Sequence, residues 1–149
     1  MEVYHFGKLD KNPRDVHDYT PFHLAAESGH LPVVEYLLQY VNNVDIQIDD
    51  HWYKRTPLMG ASLNGHIDVV KFLIKEGADL NLRDSNNWTS LMFASQYGYL
   101  DVVKFLIEEG ANPKLKDSEK KTAYVIALED DPDYDYDTSE VLEYLEQFN

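Results

Sequence analysis

The amino-acid sequence predicts an all-α solenoid of stacked helix-turn-helix units, chiefly because the sequence repeats itself. The stretches 68–74 and 101–107 both read Asp-Val-Val-Lys-Phe-Leu-Ile, and the offset between them is 33. The stretch 56–66 aligns with 89–99 at the same offset, an earlier copy starts at Thr20, and an eroded fourth copy starts at Thr122. A period of this length is typical of repeat proteins, in which each unit buries its apolar face only against its neighbours.

Each copy carries the signals of two short helices. Thr-Pro at positions 20–21 and 56–57 predicts a helix start, because the hydroxyl can cap the helix and Pro is tolerated at its first position. The second helix carries apolar residues at helical spacing, as at Ile67, Val70 and Ile74. Helices are predicted to end at a glycine, which can adopt the left-handed conformation that closes a helix. These glycines are Gly29, Gly65 and Gly98 for the first helices and Gly77 and Gly110 for the second helices.

With these motifs, the stretch 15–149 resembles the ankyrin-repeat family. The supporting stretches are Thr-Pro-Phe-His-Leu-Ala-Ala at 20–26, Gly-His at 29–30, Val-Val-Glu-Tyr-Leu-Leu at 33–38 and Gly-Ala-Asp-Leu-Asn at 77–81. The resemblance implies antiparallel helix pairs joined by β-hairpin fingers in an L-shaped solenoid. It implies one domain over 1–149, with an N-terminal extension at 1–14 and repeats at about 15–50, 51–83, 84–116 and 117–149. It also implies a scaffold that binds protein through the finger tips and the concave face of the first helices.

Two departures from the period indicate insertions. The interval from Thr20 to Thr56 is 36 rather than 33, so the first hairpin has three extra residues, which we expect within 40–50. The interval from Val102 to Val141 is 39, which places an acidic insertion at 130–138 between the helices of the fourth repeat. The last helix is then expected over 140–148, capped by Thr138 or Ser139.

Composition excludes several classes of function. A formal net charge of −14, from 27 acidic and 13 basic residues, argues against binding to a nucleic-acid backbone or an anionic membrane. The stretch 122–149 contains nine acidic residues and no basic one. The absence of cysteine excludes disulfides and thiolate sites. No apolar run approaches the length of about 18 residues that indicates a membrane-spanning helix. We therefore expect a soluble cytoplasmic protein, monomeric when free, with no cofactor or metal and no enzymatic activity.

The family geometry places variable contact positions at the finger tips and late in each first helix. Both tryptophans, Trp52 and Trp88, fall at finger tips, and aromatic and Arg side chains are common interface anchors. Packing against neighbouring fingers is the alternative for these two residues; we favour a partner interface. The candidate partner-binding residues are His17, Tyr19, Glu27, Trp52, Tyr53, Arg55, Leu63, Asn64, Asn86, Trp88, Gln96, Tyr97, Lys121, Asp133, Asp135 and Asp137.

The remaining polar motifs favour structural roles or stay open. The resemblance assigns His23, His30 and His66 to hydrogen bonds with neighbouring loops. The alternating aspartates from Asp131 fail as a calcium loop, because Tyr136 and Leu142 stand where an EF-hand needs Gly and Glu. A solvated loop and a docking surface for a basic partner both remain open. The sequence thus predicts an adaptor or regulator, or alternatively an acidic inhibitor or immunity-type protein that blocks a basic site on a toxin or another enzyme.

Overall fold

The computed structural model describes residues 19–48, 53–129 and 136–149, and within them every regular element is an α-helix. The predicted all-α class is confirmed, while β-hairpin fingers are not confirmed, since no residue in the described ranges is assigned to a strand. The helices are α1 (Pro21–Glu27), α2 (Leu31–Leu38), α3 (Pro57–Leu63), α4 (Ile67–Lys75), α5 (Ser90–Gln96), α6 (Leu100–Glu108), α7 (Ala123–Leu128) and α8 (Ser139–Glu146).

The helices form two layers around one continuous core. The odd-numbered helices α1, α3, α5 and α7 pack side by side in chain order, and α2, α4, α6 and α8 do the same behind them. Leu73 in α4 and Leu106 in α6 are fully buried, as is Leu91 in α5. Burying one such side chain stabilises the fold by about 1.5–3 kcal/mol, which explains why the apolar positions repeat so faithfully.

A threonine starts the first helix of every pair. The hydroxyl oxygens of Thr20, Thr56, Thr89 and Thr122 each accept a hydrogen bond from the backbone N–H three residues later. This bond satisfies one of the N–H groups that a helix start leaves without a partner. The Thr-Pro signal therefore predicts the helix starts correctly, and the cap persists at Thr89 and Thr122, where proline is absent.

Glycines at the ends of the first helices let successive repeats approach closely. Gly29 and Gly65 have φ values of +73° and +70°, in the left-handed region that side chains disfavour. A Cβ atom on Gly29 would overlap the ring of His66, and one on Gly65 would overlap the ring of Tyr99. The next repeat thus covers each of these two glycines.

Two of the three structural histidines bond to neighbouring segments as the resemblance implies. The Nε2 atom of His23 lies 2.8 Å from the carbonyl oxygen of Ile46, and that of His66 lies 3.0 Å from the carbonyl oxygen of Glu27. His30 is exposed at the start of α2.

We call the segments linking successive helix pairs fingers: the first finger is 43–55, the second 79–88 and the third 112–121. Backbone bonds close the second and third fingers from Asp84 N–H to Trp88 O and from Asp117 N–H to Lys121 O. The matching bond in the first finger runs from Ile48 N–H to Arg55 O and spans three more residues. The three extra residues therefore fall between Ile48 and Arg55 in the sequence, an interval that overlaps the expected range 40–50 at 49–50. Residues 49–52 lie outside the described residues.

The last helix also differs from expectation. It spans Ser139–Glu146 rather than 140–148, and the expected side-chain cap from Thr138 or Ser139 is wrong. The hydroxyl of Thr138 donates instead to the carbonyl oxygen of Ala127 at 2.9 Å. The carboxylate of Asp137 accepts from the N–H of Ser139 at 3.0 Å, because a carboxylate is a stronger acceptor than a hydroxyl.

Candidate functional site

In the second and third fingers, an aspartate carboxylate accepts the backbone N–H groups of the turn that follows it. One carboxylate oxygen of Asp84 accepts from the backbone N–H groups of Asn86 and Trp88, both at 2.8 Å. Between them Asn87 takes a left-handed conformation with φ of +62°. Because the turn satisfies its own N–H groups, it can project side chains without a strand ladder.

An arginine of the first finger and a tryptophan of the second finger both contact the same phenylalanine of α5. The guanidinium of Arg55 lies 4.7 Å from the ring centre of Tyr53 and 5.0 Å from that of Phe93. The ring of Trp88 lies 5.0 Å from that of Phe93. We call Tyr53, Arg55, Trp88 and Phe93 the Arg55 cluster. Contacts between a cation and aromatic faces stabilise such a cluster and hold its side chains in fixed positions.

The Arg55 cluster has a buried base and an exposed rim. Phe93 is 4% exposed and Tyr53 is 44% exposed, while Arg55 and Trp88 are intermediate. The Nε atom of Arg55 is buried without a hydrogen-bond acceptor in the described part of the chain. The cluster therefore exposes the Tyr53 ring and part of Arg55 and Trp88 to solvent above the buried Phe93.

A buried carboxylate sits beside this cluster. Burial raises the pKa of Asp84 above its ordinary value, because a charged carboxylate is poorly solvated there. The N–H groups of Trp88 and Asn86 and the charge of Arg55 act in the opposite direction without cancelling this effect. Asp84 therefore stabilises the turn through its hydrogen bonds, while the burial of its charge destabilises the native state.

Most of the described candidate residues lie on the fingers or at the ends of the first helices, whereas Asp137 lies in the loop before α8. Tyr19 precedes α1, with its ring 5.8 Å from that of His23. Tyr97, at the end of α5, contacts the ring of Tyr136 at 4.7 Å. The other candidates at helix ends are Glu27, Leu63, Asn64 and Gln96, and Asn86 is exposed at the tip of the second finger. His17, Trp52, Asp133 and Asp135 lie outside the described residues.

Three further candidates, Trp88, Lys121 and Asp137, also make contacts within the chain. Trp88 is partly buried against the core, so part of its side chain packs within the protein, as the alternative to a partner contact predicts. The ammonium of Lys121 lies 2.7 Å from carboxylate oxygens of both Glu119 and Glu129, and these bonds raise its pKa. Hydrogen bonds from Ser139 lower the pKa of Asp137, in keeping with its place before α8.

Sequence reasoning missed two residues of this site. In the sequence, Phe93 resembles any other core residue of α5, and no neighbouring residue indicates that the Arg55 guanidinium lies over its ring. Asp84 could have been found, because an aspartate recurs one full period later at Asp117 and folds the third finger in the same way. Repetition of a polar residue at the repeat period is the signal that was overlooked.

The described residues offer neither a metal site nor a membrane span. Among them, no group of three or more His, Asp or Glu side chains could hold a metal ion. None of the helices within those same ranges has both the length and the apolar composition needed to cross a bilayer.

Comparison with known proteins identifies the repeats. A family model for ankyrin repeats in three copies matches residues 3–84, 39–117 and 78–145. Mouse and rat proteins named ankyrin repeat and SAM domain-containing protein 6 are each 39% identical to this chain over 71 residues. That match covers 48% of this chain and 8% of each relative, so the chain spans a small fraction of their length.

Proposed function

Since this chain belongs to the ankyrin-repeat family, whose members are generally protein-interaction modules, we propose that it is a non-catalytic adaptor or regulator. It binds a partner protein through its finger tips and the adjoining face of the first helices. A cytoplasmic location and a monomeric free state are part of the same proposal.

The Arg55 cluster carries this proposal. Interface energy concentrates in a few aromatic and arginine side chains, and it is largest where these are held rigidly before binding. Tyr53 and Arg55 meet both conditions, because Arg55 lies between the buried Phe93 and the Tyr53 ring while Tyr53 remains 44% exposed. The neighbouring candidates Asn86 and Trp88 extend the contact surface along the second finger.

The inhibitor alternative has less support. It requires carboxylates that are available to a basic site on another protein. Asp137, one of the three on which it depends, already accepts hydrogen bonds from Ser139 at the start of α8. The adaptor function is therefore the one we favour.

Affinity capture with matched tyrosine variants tests the proposal. The double variant Tyr53→Ser, Arg55→Gln should lose at least about 90% of the partner captured by the wild-type protein, because interface anchors typically contribute more than about 1.4 kcal/mol, or tenfold in affinity. Quantitative mass spectrometry of the bound fraction, followed by titration with the purified partner, measures the loss.

Tyr36→Ser is the control. Tyr36 lies on α2, behind the finger surface, and is 59% exposed, so the variant removes a tyrosine of similar exposure from elsewhere. It should capture the partner as the wild-type protein does. Equal capture by the double variant and the wild type, with both folded by circular dichroism, would rule out this interface.

A further inference from the structure

A second candidate binding surface, with lysine side chains at its edge, lies at the α7–α8 end of the array. A cavity of about 320 Å³ opens between the third finger and the α7–α8 pair. We call it the end groove. Apolar side chains form its floor and lysines form its rim: the floor includes Tyr124, Leu145 and Phe148, and the rim includes Lys114, Lys116 and Lys120.

The lysines of the end groove stand out in a chain with a net charge of −14. All three are exposed, and within the described ranges no carboxylate forms an ion pair with any of them. Their neighbour Lys121, in contrast, is held by Glu119 and Glu129. Glu119 and Glu129 are thus engaged by Lys121, and the three lysines of the rim keep their charge without a paired carboxylate among the described residues.

Lys116 ends a series of donors that runs from finger to finger. The side-chain amide of Gln47 donates to the carbonyl oxygen of Arg83 at 3.3 Å. At the equivalent position of the second finger, the guanidinium of Arg83 donates to the carbonyl oxygen of Lys116. Lys116 occupies the same position in the third finger, and no acceptor in the described part of the chain receives its ammonium. Its geometry is suited to a carbonyl or carboxylate of another segment.

Lys114 stands at a finger position where the two preceding fingers have a side chain that accepts a backbone hydrogen bond. The carboxylate of Asp45 accepts from the N–H of Asp79 at 3.1 Å, and the side-chain oxygen of Asn81 accepts from the N–H of Asn112 at 2.8 Å. Lys114 stands at the equivalent position of the third finger. A further finger of the same kind would meet an ammonium group where the earlier fingers offer an oxygen, so the end groove is not built to receive one.

We propose that the end groove binds an extended acidic peptide segment of a partner protein, with an apolar side chain seated on the floor. Its carboxylates pair with Lys114 and Lys120, and Lys116 donates to its backbone or to a third carboxylate. Charge complementarity on the rim selects an acidic segment, and Tyr124 and Phe148 select one with an aromatic or large aliphatic residue.

Fluorescence polarisation with a defined probe tests the proposal. The probe is a fluorescein-labelled peptide Gly-Glu-Glu-Phe-Glu-Glu-Gly at 0.15 M salt, where the Debye length of about 8 Å screens distant acidic residues. We expect saturable binding, weakened at least about tenfold when Gln replaces every Glu or when Ala replaces Phe. The triple variant Lys114→Gln, Lys116→Gln, Lys120→Gln should weaken binding by a similar factor.

A triple variant with the same change of net charge provides the control. Lys71→Gln, Lys75→Gln, Lys104→Gln removes three lysines from α4 and α6, outside the end groove, and should bind the probe within about twofold of the wild type. Equal weakening by both triple variants, or no saturable binding by the wild type, would overturn the proposal.

Two further measurements separate the end groove from a dimer interface and from the Arg55 cluster. If sedimentation shows that the protein self-associates and that only the end-groove variant abolishes this, then the occupant is a second copy and the proposal is wrong. The Tyr53→Ser, Arg55→Gln variant should bind the probe normally. Failure at one surface is therefore distinguishable from failure at the other.

Discussion

At the scale of single residues, Asp84 shows how a side chain can serve a turn at a cost to stability. Its carboxylate is 6% exposed and accepts two backbone N–H bonds, yet burial raises its pKa. Because the pKa of this carboxyl is higher in the native state than in the unfolded chain, the native state binds the proton more tightly and the charged form destabilises the fold. The penalty from Asp84 is therefore full at neutral pH and disappears as the pH falls through its native pKa towards the ordinary value of 3.8.

Two substitutions separate the bonds of Asp84 from its charge. Asp84→Asn keeps an acceptor oxygen and removes the charge, so it should be at least as stable as the wild type at pH 7 and lose that advantage towards pH 4. Asp84→Ala leaves two N–H groups without their acceptor and should cost about 1–3 kcal/mol. Urea unfolding followed by circular dichroism at both pH values measures this. Equal losses in the two variants would contradict the electrostatic cost that we assign to Asp84. The pKa of Asp137 is shifted in the opposite direction, but Asp137 is present in the wild type and in both variants, so its contribution cancels in the comparison.

At the scale of elements, the loop before α8 is fixed by its contact with Gly98. Gly98 has φ of +74°, and a Cβ atom there would overlap the carbonyl oxygen of Asp137. The third first-helix glycine thus meets the backbone of the next repeat, where Gly29 and Gly65 meet the rings of His66 and Tyr99. Backbone cannot rotate aside as a ring can, so this junction tolerates the least change.

Gly98→Ala should therefore destabilise the protein more than Gly110→Ala. Gly110 has φ of +102°, but a Cβ atom there would meet nothing within 4 Å. Its substitution costs only the unfavourable backbone conformation, about 1–2 kcal/mol, whereas Gly98→Ala adds an overlap worth about 1–3 kcal/mol more. Urea midpoints of the two variants compare the losses directly. Equal losses would show that the Asp137 loop moves aside freely.

Elements also show what sequence could and could not predict. Helix starts at Thr20 and Thr56 depend on local capping, so a few neighbouring residues suffice to place them. The contact of Arg55 with Phe93 and the end groove each join segments from different repeats. The repeat period predicts that these segments are neighbours in the fold, but it does not predict which of their side chains are in contact. The bond from Ser139 N–H to the Asp137 carboxylate was missed because three candidate side-chain oxygens lie within three residues, and only the geometry of the loop selects among them.

At the scale of the whole molecule, the array is linear: within the described ranges, each helix pair packs only against the pairs adjacent to it in the chain. Stability in such an array is approximately a sum of the intrinsic stability of each repeat and the contacts between neighbours. Among the described helices, α6 lies between α4 and α8, whereas α8 packs on α6 alone in its layer. In the part of the chain that the structure describes, the α7–α8 pair thus contacts one other pair where each central pair contacts two, and we expect it to open at a lower free energy.

Identical leucine truncations in the two repeats test this directly. Leu106 in α6 is 0% exposed and Leu145 in α8 is 1% exposed, so each alanine substitution removes a fully buried side chain and costs about 2–5 kcal/mol locally. Leu106→Ala should accelerate native-state amide hydrogen exchange throughout α3–α8, because it weakens a repeat with contacts on both sides. Leu145→Ala should accelerate exchange in α7 and α8 while leaving the amides of α3 and α4 within about twofold of the wild type. Equal acceleration along the whole chain by Leu145→Ala would mean that the four repeats unfold as a single cooperative unit. The end groove, lined in part by α7 and α8, would then form and disappear together with the Arg55 cluster.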